Sequence, residues 1–215
     1  MATPPSAATQ LSEADELRVL EDQLARMRGM LFGYSERFFE RIRTYLLLTL
    51  ALLVLAGSGV FRGAVVAVPF LIPFAFLETG YLFFYTVFAR RHAEYLEREI
   101  NGRLGRDVLV AHRLEAAYLY PPDAPKVAGI SAGNPAGMMS AVTIGYTVGA
   151  ALLWLAGMRG LLDMEQSALL VAAALAWTAA IALYLVVTFV TRHDERRLIA
   201  ALDAAYGPMH GSSPR

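Results

Sequence analysis

The sequence predicts an all-α membrane protein with four transmembrane helices, arranged as two tandem hairpins that carry helical extensions on the cytoplasmic side. Of its 215 residues, 56% are hydrophobic and only 18% are charged, a low charged fraction for a soluble domain. The apolar residues are concentrated in four long blocks that contain almost no charged side chains. Because the blocks form two pairs, each joined by a short loop, they predict two membrane hairpins.

Each of the four blocks is long enough to cross a bilayer. The blocks hold between 17 and 26 residues, and a helix needs roughly 17 to 25 residues to cross a hydrocarbon layer about 30 Å thick. They cover residues 45–61, 64–89, 138–158 and 168–190. Only the second block contains an acid, Glu78.

The distribution of basic residues predicts the orientation. Seventeen of the nineteen Lys and Arg residues lie in the N-terminal, central and C-terminal segments, and the other two, Arg62 and Arg159, lie in the hairpin loops. The positive-inside rule therefore predicts cytoplasmic termini and outward-facing loops. Eighteen of the nineteen are Arg, which is typical of a GC-rich bacterial genome. We expect a multi-pass protein of a bacterial inner membrane.

These assignments divide the chain into six regions. Residues 1–10 are rich in Pro, Ala and Thr and are expected to be disordered. The other regions are an amphipathic or coiled-coil cytoplasmic helix (11–44), the first hairpin (45–89), a cytoplasmic helix and linker (90–137), the second hairpin (138–190), and a cytoplasmic C-terminal helix and tail (191–215).

Two short matches predict that the hairpins arose by duplication. Residues 51–57 and 151–157 share six of seven positions, and residues 88–94 resemble residues 189–195 at nearly the same offset. Because both hairpins begin and end in the cytoplasm, the repeat would be parallel, with its axis along the membrane normal. The alternative is that membrane hairpins share composition and boundary residues by necessity.

An apolar seam runs along the helix that precedes the first block. Its members follow spacings of three and four over three heptads, and Ser12 with Asp15 indicates a capped helix start. They are Leu17, Leu20, Leu24, Met27, Leu31, Tyr34 and Phe38. The seam is interpreted as a coiled coil that joins copies of the chain. The alternatives are a helix lying on the membrane or one folding onto the protein's own central helix.

Glu78 is the most informative candidate residue. It lies 12 residues before Arg90, which predicts a position near the bilayer centre, where a charge costs roughly 2.5 to 3.5 kcal/mol. No block contains a basic residue, so hydroxyl groups are the expected partners. The candidates are Tyr81 and Tyr85 on the same helix face, and Ser140, Thr143 and Thr147 in the third block. The functional interpretation is a pore or transport pathway; the structural alternative is one hydrogen bond between helices.

Two further patterns concern the shape and packing of the helices. Pro69 and Pro73 lie one turn apart in the second block and are expected to bend it, since each removes a backbone hydrogen bond. In the third block, Ala141, Gly145 and Gly149 form a line of small residues suited to close contact between helices.

Other functional classes find little support in the sequence. The chain has no Cys and carries no phosphate-binding loop, catalytic triad or metal-binding motif, so we expect neither an enzyme nor a bound cofactor or metal. Zero net charge gives no argument for a nucleic-acid partner. We therefore expect a homo-oligomeric channel or transport protein with Glu78 on the pathway. The alternative is a non-catalytic membrane scaffold whose cytoplasmic helices bind a protein partner.

The orientation is testable because the chain has no natural Cys. A cysteine introduced at position 159 should react with a membrane-impermeant maleimide added from outside, whereas one at position 110 should be protected until the membrane is opened. Labelling at position 110 combined with protection at position 159 would show that the orientation is opposite to the predicted one.

Overall fold

The computed structural model describes residues 12–119, 126–127, 130–131, 135–164, 167–191 and 193–207. These residues are helical apart from turns, loops and one antiparallel pair of two-residue strands, Lys126–Val127 and Ile130–Ser131. In chain order, the helices are α1 (Glu13–Gly57), a 3-10 helix (Arg62–Ala67), α2 (Val68–Leu104), α3 (Ala111–Leu119), α4 (Pro135–Leu162), α5 (Ala168–Thr191) and α6 (His193–Tyr206). The all-α prediction is confirmed, and the expected disorder of residues 1–10 lies outside the described residues.

Within the described part of the chain, three helical segments are long and apolar enough to cross a membrane. They are Arg62–Leu104, Ala141–Leu162 and Ala168–Thr188. The first predicted block, residues 45–61, is instead the C-terminal end of the long helix α1, which stops at Gly57. Since Arg43 precedes it, its uncharged part covers residues 44–57, or ~21 Å at 1.5 Å per residue.

Helix α1 begins as the sequence predicts and then runs antiparallel to α2. The Ser12 hydroxyl accepts a hydrogen bond from the Asp15 amide at 3.1 Å, which satisfies a free N–H group of the first turn. Ion pairs then join the two helices along their length: Glu16 with Arg103, Arg28 with Glu97, and Arg41 with Glu78. The order of these pairs fixes the register of the two helices.

The apolar seam of α1 packs against α2 of the same chain. The cluster contains Leu20, Leu24 and Met27 from α1, and Ala93, Leu96 and Ile100 from α2. Leu17 is partly buried against it, and Leu31, Tyr34 and Phe38 are half-buried. The structure thus has the arrangement in which α1 folds onto the central helix. Leu20, Leu24 and Met27 of the seam are therefore buried within the chain.

Helix α6 completes this polar end of the molecule. The Tyr95 hydroxyl donates to Asp203 at 2.6 Å, and Arg91 of α2 pairs with Glu195 of α6 at 3.0 Å. The Tyr206 hydroxyl lies 2.9 Å from Nε2 of His92, and burial together with the charge of Glu99 raises the pKa of Tyr206. Helices α1, α2 and α6 therefore form one connected cluster, which we call the polar cluster.

Helix α4 approaches the rest of the chain at the opposite end, where the hairpin loops lie. A Cβ atom on Gly157 would lie 2.6 Å from Val68, and one on Gly160 would lie 2.5 Å from Val65. The small residues predicted for this role are elsewhere: Ala141 and Gly145 are exposed, and a Cβ on Gly149 would meet nothing within 4 Å. That prediction was wrong within the chain, because α4 meets the 3-10 helix and the start of α2 near its own C-terminal end.

The two prolines of α2 have different positions. Pro69 lies in the first turn, where its missing N–H removes no helical hydrogen bond. Pro73 lies inside the helix and leaves the carbonyl of Pro69 without its usual donor. Only Pro73 therefore has the position expected of a bending residue.

The close contact at Gly157 predicts a sharp difference between two glycine substitutions. Gly157→Ala should lower the free energy of unfolding of the detergent-solubilised protein by about 1 to 3 kcal/mol, and with it the melting temperature, because the methyl group would overlap Val68. Gly149→Ala is the matched control in the same helix and should be neutral or slightly stabilising, since Ala favours helices. Equal melting temperatures for the two variants would contradict the contact.

Candidate functional site

A cavity of about 610 Å³ lies between α2, α5 and the first turn of α6. Its polar lining consists of Glu78, Tyr81, Tyr85, Tyr184, Thr188 and Asp194. Its volume falls within the range of roughly 300 to 1,000 Å³ that is typical of small-molecule sites. The cavity brings three of the sequence-predicted residues, Glu78, Tyr81 and Tyr85, to one place.

The cavity exists because α2 is held against α5 and α6 at two separated points. Near the hairpin end, the Trp177 indole donates to the carbonyl of Phe70 at 3.1 Å. At the polar end, Arg91 pairs with Glu195. The lining residues lie between these two contacts along both helices, from Phe74 on α2 to Asp194 on α6. The space between the helices is therefore fixed by contacts above and below it.

Glu78 is held by two residues of α1. Its Oε1 atom lies 3.1 Å from Nε of Arg41, and its Oε2 atom accepts a hydrogen bond from the Tyr45 hydroxyl. The expectation that Glu78 lacks a basic partner is wrong, because the antiparallel packing of α1 brings Arg41 to its level. Glu78 thus lies at the level where the charged residues of α1 give way to apolar ones. The side chain of Glu78 is 28% exposed.

The two tyrosines expected to bind Glu78 interact with each other instead. The Tyr81 hydroxyl donates to the Tyr85 hydroxyl at 3.0 Å, and the two rings meet edge to face. Tyr85 also stacks on Tyr34 of α1, with ring centroids 5.0 Å apart. Both residues line the same cavity as Glu78, so they contribute aromatic surface and hydroxyl groups beside the carboxylate rather than a direct hydrogen bond to it.

The predicted hydroxyl line on α4 does not extend to the site. Thr143 and Thr147 lie on an exposed face, where the Thr147 hydroxyl donates to the carbonyl of Thr143 at 2.9 Å. The side chain of Ser140 lies outside the described residues. Helix α4 instead places Tyr146 near α2, with its ring centroid 5.2 Å from that of Phe76.

Five residues of the site were missed by sequence reasoning: Arg41 and Tyr45 on α1, Tyr184 and Thr188 on α5, and Asp194 on α6. A signal existed for two pairs, because Arg41 with Tyr45 and Tyr184 with Thr188 are each spaced four residues apart on one helix face. No local pattern indicated that these faces converge on Glu78.

Among the described side chains, the charges around the cavity do not balance. Arg41 neutralises Glu78, whereas the carboxylate of Asp194 forms no hydrogen bond or ion pair with any described residue. No group of three His, Asp or Glu side chains among the described residues is suited to hold a metal ion. The cavity therefore combines aromatic walls with one surplus negative charge.

No protein-family model, curated protein or solved structure matches the chain.

The contact between Arg41 and Glu78 predicts an energetic coupling of about 1 kcal/mol between Arg41→Gln and Glu78→Gln in a double-mutant cycle of thermal stability. The double variant should melt above the temperature expected from adding the two single effects, since each single change leaves one charge unpaired. Arg43→Gln is the control, because Arg43 is exposed two residues away. Additive effects for Arg41 and Glu78 would show that the pair is absent.

Proposed function

We propose that the chain is a bacterial inner-membrane protein of channel or transport type, in which Glu78 lies on the pathway of a cation or a proton. The observation that supports this proposal most is the cavity that reaches Glu78 from between α2 and α5. A carboxylate at the depth of an apolar span is costly unless it has a partner or a function. Here it has a partner on one side and an open cavity on the other.

The proposed arrangement has four spans, with the end of α1 crossing beside α2, α4 and α5. The uncharged part of α1 is shorter than the hydrocarbon layer, a mismatch that local thinning of the bilayer would accommodate. The polar cluster and both termini lie in the cytoplasm, and the two hairpins form a tandem repeat. The repeat is proposed on the two sequence matches, residues 51–57 with 151–157 and residues 88–94 with 189–195.

Exchange of partners at Glu78 provides the proposed mechanism. In the resting state the Arg41 guanidinium balances the carboxylate, and Tyr45 fixes one of its oxygens. An entering cation or proton competes with Arg41, whose side chain is 51% exposed and is free to turn toward water or lipid headgroups. Pro73 lies five residues away and weakens the helix locally, which eases the movement of α2 that release requires.

Self-association is part of the proposal, because a single four-span chain rarely encloses a pathway alone. Since α2 fills the α1 seam, copies would meet through other surfaces. The exposed line of Ala141 and Gly145 on α4 is suited to such a contact.

The alternative is a membrane scaffold whose polar cluster binds a protein partner. Exposed apolar side chains on its helix α1 support it, with Phe32 at 73% and Val19 at 47% exposure. This alternative predicts no ion movement, so one flux measurement separates the two functions.

The test is flux through liposomes that contain the purified full-length chain. We expect the wild-type protein to dissipate an imposed proton or potassium gradient, and Glu78→Gln to reduce the rate at least tenfold, because the amide neither carries a proton nor attracts a cation. Glu40→Gln is the matched control, since Glu40 is an exposed acid one turn before Thr44 on α1. Wild-type flux from Glu78→Gln, or none from either protein, would remove Glu78 from any pathway.

A further inference from the structure

We propose that the cavity beside Glu78 binds an organic cation with an apolar body, of the quaternary ammonium or phosphonium type. This inference rests on the proposed function and names the ligand class of the same site. It follows from three features of the cavity: its surplus charge, its aromatic walls, and its continuity with an apolar groove.

The charge of the cavity selects a cation. Asp194 contributes a carboxylate that no described residue neutralises, while Glu78 is balanced by Arg41. An anion placed here would be repelled by this carboxylate in partly desolvated surroundings, where electrostatic interactions are stronger than in water. A cation would balance the Asp194 carboxylate.

The aromatic lining indicates an organic cation rather than a bare metal ion. The walls include the rings of Phe74, Tyr81, Phe84, Tyr85 and Tyr184. The faces of aromatic rings attract cations, and cages of such rings are the usual recognition device for quaternary ammonium groups. A bare calcium or magnesium ion instead needs about six oxygen ligands at short range. The 610 Å³ volume is suited to a bulky ligand.

An adjoining groove accounts for the apolar body of the ligand. This groove of about 550 Å³ shares Phe74 with the cavity and is lined by Leu48, Leu52, Phe70, Leu71 and Trp177. It follows α2 toward the hairpin end and carries no charged side chain in its lining. A hydrophobic cation that partitions into the bilayer would therefore meet apolar surface directly beside the aromatic cavity.

The experiment is equilibrium binding of radiolabelled tetraphenylphosphonium to the purified full-length protein in a non-ionic detergent. Tetraphenylborate is the matched control, because it has nearly the same size and apolar surface but the opposite charge. We expect saturable binding of the phosphonium, and binding of the borate at least tenfold weaker. Equal binding of the two ions would overturn the inference, since it would reflect apolar partitioning alone.

Variants then locate the site. Asp194→Asn should weaken phosphonium binding about tenfold, whereas Asp163→Asn, an exposed acid near the hairpin end, should leave it unchanged. Tyr184→Phe keeps the ring face and should retain binding, whereas Tyr184→Ala should lose it severalfold. A loss of binding counts only if the melting temperature of the variant equals that of the wild-type protein. Insensitivity to both Asp194→Asn and Tyr184→Ala would place any binding elsewhere and overturn the inference.

The two proposals fail separately. Selective phosphonium binding without ion flux in liposomes would support the ligand site and contradict the pathway. Glu78-dependent ion flux without selective phosphonium binding would support the pathway and overturn the ligand class.

Discussion

The antiparallel packing of α1 against α2 is the constraint on which the rest of the structure depends. It buries the apolar seam of α1 on Ala93, Leu96 and Ile100, and it aligns a series of opposite charges along both helices. A shift of one helical turn would move Arg41 by about 5.4 Å from Glu78 and would misalign the seam. One register therefore satisfies both the hydrophobic and the electrostatic requirements of the hairpin.

An ion pair between an Arg of α1 and a Glu of α2 occurs twice along this hairpin, in different surroundings. Glu97 is 5% exposed, and it is held by Arg28 at 2.7 Å and by the His112 amide at 3.1 Å, beside the apolar cluster. Glu78 is also held by an Arg of α1 and lines the aromatic cavity, whereas Glu97 lines a separate cavity of about 650 Å³. Removal of either arginine would leave a carboxylate without its counter-charge. The cavity beside Glu97 is lined by Arg98, Arg106 and Arg113, whereas the lining of the cavity beside Glu78 contains no arginine.

The second hairpin determines the shape of that space. Helix α5 is anchored to α2 by the hydrogen bond from Trp177 to Phe70, and its Thr178 hydroxyl accepts one from Trp154 of α4 at 3.2 Å. The next anchor toward the polar end is the pair of Arg91 and Glu195. Between these anchors, five aromatic side chains line the cavity together with smaller residues such as Gly80 and Thr188. The position of the cavity thus follows from where the described residues of the two hairpins make contact.

The sequence by itself determined the helical class, the apolar segments, the start of α1 at Ser12 and the periodic seam, because these features depend on local propensity and on the spacing of apolar residues. It also identified Glu78, since a lone acid in an apolar block is conspicuous. Periodicity shows which face of a helix is apolar but not what covers it. Only the tertiary structure decided that α2 fills the seam, that Arg41 reaches Glu78, and that Gly157 rather than Gly145 makes the close contact. These outcomes depend on the relative register and approach of helices far apart in the chain, which no local pattern encodes.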